Sequence, residues 1–441
     1  MESGNNSRRD FVKQTSVLAG GLFVSKLAGA NYFSGADDTI KIALIGCGGR
    51  GTGAATQALS TNQNVKLVAM ADAFKDRLDD CYKAITAMDG TESGSKNLKG
   101  KVDVPEDRKF TGFDGYQKAI ALADVVILAT PPGFRPIHFE EAVKQGKHIF
   151  MEKPVATDPA GIQKVLAAAA IAKQKKLNVV VGLQRHYQNS YKELYKRKDL
   201  IGDITSAQAW WNNDGVWVRK RKYNQTEMEY QMRNWYYFVW LCGDHINEQH
   251  IHNLDVINWF KGGYPIKAQG MGGREVRKGK DHGEIFDHHF VEYEYADGSI
   301  LNSQCRHQPK TMSRVDELLI GTKGKIRAGA ANITDHKGKV LYQFDKKGEN
   351  NAYQTEHDEL FATIAKGEYK FADAENGANS TMTAILGRMA TYSGQVIELD
   401  KAINSGLSLQ PKVYDWNAAP PVMPNDDGYY PIATPGITRY V

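Results

Sequence analysis

A β-rich apolar run at 39–45 leads directly into Gly46-Cys47-Gly48-Gly49-Arg50-Gly51, and a helix-like stretch begins at Thr52. No other feature restricts the fold of this chain as much. The spacing is G-x-G-x-x-G, which by itself is weak, because 42 glycines produce such spacings by chance. Its context gives it weight: a second apolar run, 65–71, ends at Asp72, 21 residues beyond Gly51. A strand, a glycine turn, a helix and a strand ending in an acid together cradle a dinucleotide. Glycines allow the tight turn and the close approach of backbone to pyrophosphate, while the helix N-terminus offers N–H groups and positive potential. Asp72 would accept hydrogen bonds from the adenosine ribose and repel a 2′-phosphate, which favours NAD; Arg50 and Lys75 nearby leave NADP open.

Further apolar runs keep the same rhythm. The run at 124–130 (DVVILAT) ends at Pro131-Pro132, that at 148–151 at Glu152-Lys153-Pro154, and that at 177–181 at Gly182, with helical patterns at 136–145 and 159–175 between them. Strands alternating with helices predict a parallel, doubly wound sheet. After about Pro154 the character changes. A strand is expected at 206–211, one amphipathic helix over 244–260, and a β-hairpin from 286–295 and 299–306 joined by Asp297-Gly298. Strands at 317–320 and 340–344 and a helix over 375–392 follow. The expected fold class is thus an α/β Rossmann domain, residues 35–155, plus an α+β domain, residues 156–395, with an open, mostly antiparallel sheet. Residues 89–105, rich in Gly, Ser and Lys, read as an excursion loop of the first domain. The C-terminal tail, 396–441, holds five prolines and four tyrosines from Tyr414 onward, so it should run extended over the surface or onto a neighbouring subunit.

Residues 1–34 read as an address. Ser7-Arg8-Arg9-Asp10-Phe11-Val12-Lys13 is followed by an apolar stretch from 16 to 30 that ends in Ala28-Gly29-Ala30, the order of an export signal with a small-residue cleavage site. The paired arginines resemble a twin-arginine signal, which implies transfer of a folded protein to the periplasm. The stretch is too short and too rich in Gly, Ser and Lys to anchor in a membrane. Cys47, Cys81, Cys242 and Cys305 show no CxxC or metal-binding spacing and are expected as free thiols. The formal charge is +5, of which the leader carries +2. What remains is too weak to argue for nucleic acid or an anionic membrane as partner.

The first strand, GCGGRG, the strand ending in a proline turn and Met151-Glu152-Lys153-Pro154 together resemble the Gfo/Idh/MocA oxidoreductases, over residues 38–395. The resemblance implies a Rossmann domain joined to an α+β domain whose open sheet carries the substrate. It places the family's lysine at Lys153, between nicotinamide and substrate, and puts Thr130, Pro131 and Glu152 with Gly46, Gly48, Gly49, Arg50, Gly51 and Asp72 on the cofactor side. The family's acid four residues before a histidine, with an Asp three residues after it, matches Glu248, His252 and Asp255. Here Glu stands where many members have Asp, and Asp244, another turn back, could share the role. Gln184, Arg185 and His186 fall where the family places polar substrate contacts. Family sheets commonly pack face to face, which implies a homodimer or homotetramer.

The chemistry asks for the same residue types. Oxidising a secondary alcohol requires proton removal from oxygen as hydride leaves carbon, and histidine is the natural base. A lysine supplies positive charge where alkoxide develops. A lone helical histidine is more often a satisfied core residue; the motif and Lys153 reverse that weighting for His252. His245, His250 and His252 beside Glu248 lack the H-E-x-x-H spacing, so no metal is expected. Trp210, Trp211, Trp217, Trp235, Tyr236, Tyr237 and Trp240 should mostly pack, with one or two stacking on a sugar ring near Asn212, Asn213 and Asp214. Outside the cytoplasm no NAD pool replaces a reduced cofactor, so the cofactor is expected to stay bound and be reoxidised in place. Three schemes fit: ping-pong transfer between two sugars, transient oxidation inside a lyase or hydrolase cycle, or oxidation by an outside acceptor. The reading is an oxidoreductase acting on a sugar or glycoside hydroxyl, ring C3 the best guess. The alternative is an NAD-dependent glycosidase working through C3 oxidation and elimination; the resemblance implies another residue than lysine there, so Lys153 counts against it. A non-catalytic sugar-binding protein is the third reading, which the Lys153/His252 pair opposes.

Overall fold

A computed structural model describes residues 39–88 and 97–440. The export signal read in residues 1–34, and residues 89–96 of the expected excursion, lie outside the described residues. Among the described residues no helix is long and apolar enough to cross a membrane.

The apolar runs become six parallel strands: β1 (Ile40–Ile45), β2 (Val65–Asp72), β3 (Lys109–Thr111), β4 (Val125–Leu128), β5 (His148–Met151) and β6 (Val179–Val181). Their spatial order is β3-β2-β1-β4-β5-β6. Ile42, Leu44, Val126, Ile127 and Phe150 are fully buried, as a sheet covered by helices on both faces requires. The helix Pro159–Gln174 starts where the Asp158 carboxylate accepts from Gly161 N at 2.7 Å, with Pro159 in its first turn. Because β6 pairs with β5, this sheet continues past the boundary expected at 155. A late helix, Ala352–Ala365, also packs on it, with Ala352, Leu360 and Phe361 in the same apolar cluster as Ile42 and Leu44.

The second sheet adds β7 (Ile204–Asn213), β8 (Lys267–Gly273), β9 (His288–Glu294), β10 (Ile300–His307), β11 (Arg314–Gly321), β12 (Gly324–Arg327), β13 (Asn332–Asp335), β14 (Val340–Gln343) and β15 (Ile397–Glu398). Its order is β14-β13-β12-β11-β7-β10-β9-β8-β15. Only β7 and β10 run parallel. The expected hairpin is β9–β10, in register from Glu294↔Ile300. The helix Ala374–Ser393 lies against the sheet and is buried along most of its length. The expected fold class holds.

One expected element is broken. Residues 244–260 form two helices, His245–Glu248 and Ile251–Lys261. The Glu248 carbonyl, which would accept from His252 N in a continuous helix, instead accepts from Lys153 Nζ at 2.5 Å, and His252 N turns to Gln249 O at 3.3 Å. The second helix is buried nearly all round, so the expected amphipathic pattern is absent.

β1 sits between β2 and β4, where the strand order reverses. In such sheets ligands bind beyond the carboxyl ends of the strands at this point. The break at Gln249-His250 and the end of β7 reach the same crevice from the second sheet.

Candidate active site

A cleft of about 520 Å³ opens there, lined by the glycine loop, Asp72, Thr130, Pro131, Glu152, Lys153, Gln184, Glu248 and His252, among others. Gly46 has φ +96°, and a Cβ on it would lie 2.5 Å from Thr130 N; one on Gly51 would lie 1.9 Å from Gly46 O. Both positions therefore exclude a side chain. A Cβ on Gly48 or Gly49 would meet nothing within 4 Å, so these two leave open room at the N-terminus of the helix Gly49–Leu59. The Asp72 carboxylate accepts from Cys47 N at 2.7 Å and Phe74 N at 2.9 Å, fixing the loop. Open glycines, a helix N-terminus and an acid at the β2 end fit a dinucleotide and its ribose.

The contrast between the glycines gives a prediction. Gly51→Ala should cost about 1–3 kcal/mol of stability through overpacking, and the purified protein should lose its nucleotide. Gly48→Ala should leave the unfolding midpoint unchanged and weaken only cofactor binding. Denaturant titration together with nucleotide released on denaturation separates the two.

Lys153 and Glu248 meet at the other end of the cleft. Lys153 Nζ lies 3.0 Å from Glu248 Oε1 as well as on its carbonyl. Burial raises the Glu248 carboxyl above its ordinary value, against the pull of Lys153. His252 is 7% exposed, its Nδ1 has no hydrogen-bond partner, and its ring stacks on Trp211 at 6.0 Å. Burial, then the positive charges of Lys153, Arg185 and Arg50, push its pKa well below 6.5. Its imidazole is therefore neutral and available to accept a proton. Arg50 bridges Glu152 at 2.5 Å and Glu356 at 3.5 Å. Arg135, fully buried, donates to Glu152 O at 3.0 Å and Thr130 O at 2.6 Å, which locks the turns after β4 and β5 together.

Three expected substrate contacts stand elsewhere. Arg185 is buried in an ion pair with Glu317, which also accepts from Tyr191 at 3.0 Å. His186 pairs with Asp255 at 2.7 Å and stacks on Trp259 at 4.2 Å, away from the cleft. Asp244 is fully buried and does not share the role of Glu248: its oxygens accept from His245 N, Phe286 N at 2.9 Å and Tyr392 Oη at 2.5 Å. Of the three residues after β6, only Gln184 lines the cleft. Each displaced residue was too close in sequence to a true lining residue for local reading to separate them; the partner carboxylates come from distant segments.

Sequence reading also missed the roof. Arg233 pairs with Asp76 at 2.8 Å and covers the Phe74 ring at 4.0 Å. Trp416 of the tail packs on Phe74 at 5.1 Å and Phe113 at 4.6 Å, and Tyr414 on Phe134 at 5.3 Å. The tail therefore closes over its own chain's first sheet. All four cysteines are buried and free.

With this geometry in place, residues 40–183 match the family model described as the oxidoreductase family, NAD-binding Rossmann fold, of the Gfo/Idh/MocA type. Residues 40–183 thus form the Rossmann part of an oxidoreductase of that family. That matched, NAD-binding segment contains the glycine loop, the helix Gly49–Leu59 and Asp72. This oxidoreductase is 24% identical over 341 residues to inositol 2-dehydrogenase of Rhizobium meliloti, covering 75% of the present chain and 90% of that one. It is 25% identical to 2,7-anhydro-N-acetylneuraminate hydratase of Escherichia coli over 47% of the present chain and 51% of that one. Its fold matches that of scyllo-inositol dehydrogenase from Lactobacillus casei with bound NAD(H) and scyllo-inositol, with a TM-score of 0.61, 20% identity, and 82% and 100% coverage of the two chains.

Proposed function

We infer that this oxidoreductase interconverts a ring hydroxyl of a sugar or glycoside, best at C3, with its keto form, and keeps its NAD bound through turnover. The observation that carries this reading is the meeting of Lys153, Glu248 and His252 beside Trp211 at one end of the nucleotide cleft. The substrates by which these relatives are named, an inositol and an anhydro-sugar acid, support a cyclic polyhydroxylated ring. An NAD held by the glycine loop and Asp72 would supply the acceptor for the hydride of the carbinol carbon. Lys153 holds positive charge at the oxygen that becomes anionic, and neutral His252 accepts the hydroxyl proton. Glu248 holds Lys153 in place, and the indole of Trp211 offers a flat apolar wall for the face of the ring.

Retention is supported by the roof. Phe74, Phe113 and Arg233 line the cleft with Asp72, and Trp416 packs behind Phe74 and Phe113. Trp416→Ala is expected to raise the NAD dissociation rate about 2- to 10-fold, since an aromatic contact of this kind contributes about 0.5–1.5 kcal/mol beyond its buried area; dilution of the loaded protein followed by fluorescence reads it. Retention also suits export: we place the mature protein in the periplasm, delivered by the twin-arginine route. We further propose a dimer or tetramer built on the outer face of the second sheet, where Met271 is exposed; light scattering showing only monomer removes this.

The deciding experiment follows near-UV absorbance of the purified protein as glycosides are added without external cofactor. A reduced-nicotinamide band that stays with the protein supports the reading. No band from protein that demonstrably carries NAD, with free aglycone in solution, overturns it in favour of elimination.

A further inference from the structure

Behind the cleft, three side chains from separate elements converge on one buried point. Asp244 and His245 begin the short helix that carries Glu248, and His289 comes from β9. All three side chains are closed off from solvent, and each offers a ligand atom within 4.8 Å of the others. The donor set, one carboxylate and two imidazoles, suits a borderline divalent cation such as Zn²⁺.

We propose that Asp244, His245 and His289 bind a divalent transition-metal ion as a structural site, independently of the sugar reading. Four observations carry it. First, His289 Nε2 lies 3.3 Å from Asp244 Oδ2, longer than a charge-assisted hydrogen bond. Two donors that share a tetrahedral Zn²⁺ with bonds of about 2.0–2.2 Å stand about 3.3 Å apart. Second, His289 Nδ1 meets Thr391 Oγ1 at 2.9 Å, the outer contact that fixes a ligating imidazole and turns its other nitrogen to the metal. Third, His245 Nδ1 stands 2.7 Å from Asp244 Oδ1, so the third donor meets the same carboxylate. Nδ1 of His307, whose ring stacks on His245 at 4.4 Å, is buried without a partner. Unpaired buried nitrogens are costly, and a cation occupies their lone pairs. Fourth, Asp244 is a non-glycine residue at φ +70°, a strained conformation retained where the surroundings over-determine it.

The side chains are closed to solvent, so no substrate reaches the site and it acts on structure. Its place explains what it would hold: Glu248 N donates to Asp244 O at 2.9 Å, and His307 meets Gln249 Oε1 at 3.0 Å. The ion would brace the turn that presents Glu248 and Gln249 to the cleft. The third ligand comes from a distant strand, which is why the local histidine spacing gave no sign of it.

Elemental analysis of the purified full chain, produced with added Zn²⁺ and desalted, tests this. About one equivalent of metal per chain is expected, falling at least tenfold in His289→Ala and in His245→Ala but not in His288→Ala on the same strand. If the two variants do not fold, Co²⁺ replaces Zn²⁺ in the wild-type chain, and intense visible bands of a four-coordinate N/O site are expected. Metal below a tenth of an equivalent in wild type, or full metal retained in His289→Ala, or Co²⁺ without such bands, overturns the proposal.

Discussion

Lys153→Met retains bound NAD and loses about 10²–10³-fold in turnover, the effect of deleting one positioned donor from a developing oxyanion. Methionine keeps the length and apolar stem, so β5 and the turn after it stay packed. The glycine loop and Asp72, which hold the other end of the cofactor, do not touch the substituted side chain. The variant also strips Glu248 of its cation. Burial already raises that carboxyl, and without Lys153 it takes up a proton more readily. The broken helix at 248–252 should change too, because the Glu248 carbonyl loses its acceptor role towards Nζ. Nucleotide content and single-turnover absorbance read both arms. Wild-type turnover in Lys153→Met removes this residue from the chemistry.

His252→Asn is the second large effect, with kcat lowered about 10²–10⁴-fold as a proton acceptor is removed. The pH dependence carries a sign. A base must be neutral to accept, and the His252 pKa is held well below 6.5, by burial first and by Lys153 second. The acid limb of kcat/KM therefore falls below pH 6.5, and activity is level above it. Removing the Lys153 charge relieves repulsion of the protonated ring, so in Lys153→Met the limb moves upward in pH. A wild-type limb at or above 6.5, or a limb that does not move, assigns the proton to another group.

Much of this protein was legible before any coordinates. Runs such as DVVILAT announce buried strands because their β-branched residues suit a sheet covered on both faces. Gly46 and Gly51 are readable because a turn this tight has a local steric demand, which the Cβ distances of 2.5 and 1.9 Å express. Lys153, Glu248 and His252 were readable through a motif, and all three line the cleft. The fifth apolar run was visible as well, but its place in the first sheet depends on pairing with β5, a long-range hydrogen-bond ladder that no local pattern encodes.

Composition, periodicity and turn residues thus determined the two-sheet plan and the glycine loop, since each follows from interactions within a few residues, and the family motif pointed to Lys153, Glu248 and His252. The tertiary structure alone decided which polar residues face the cleft. Arg185 turns to Glu317, His186 to Asp255 and Asp244 to Phe286 and Tyr392. It also decided that Trp416 of the tail packs on Phe74 and Phe113, which line the cleft. A buried charge or polar group goes where a partner can satisfy it, and those partners arrive from segments far along the chain, brought within reach only when the two sheets pack.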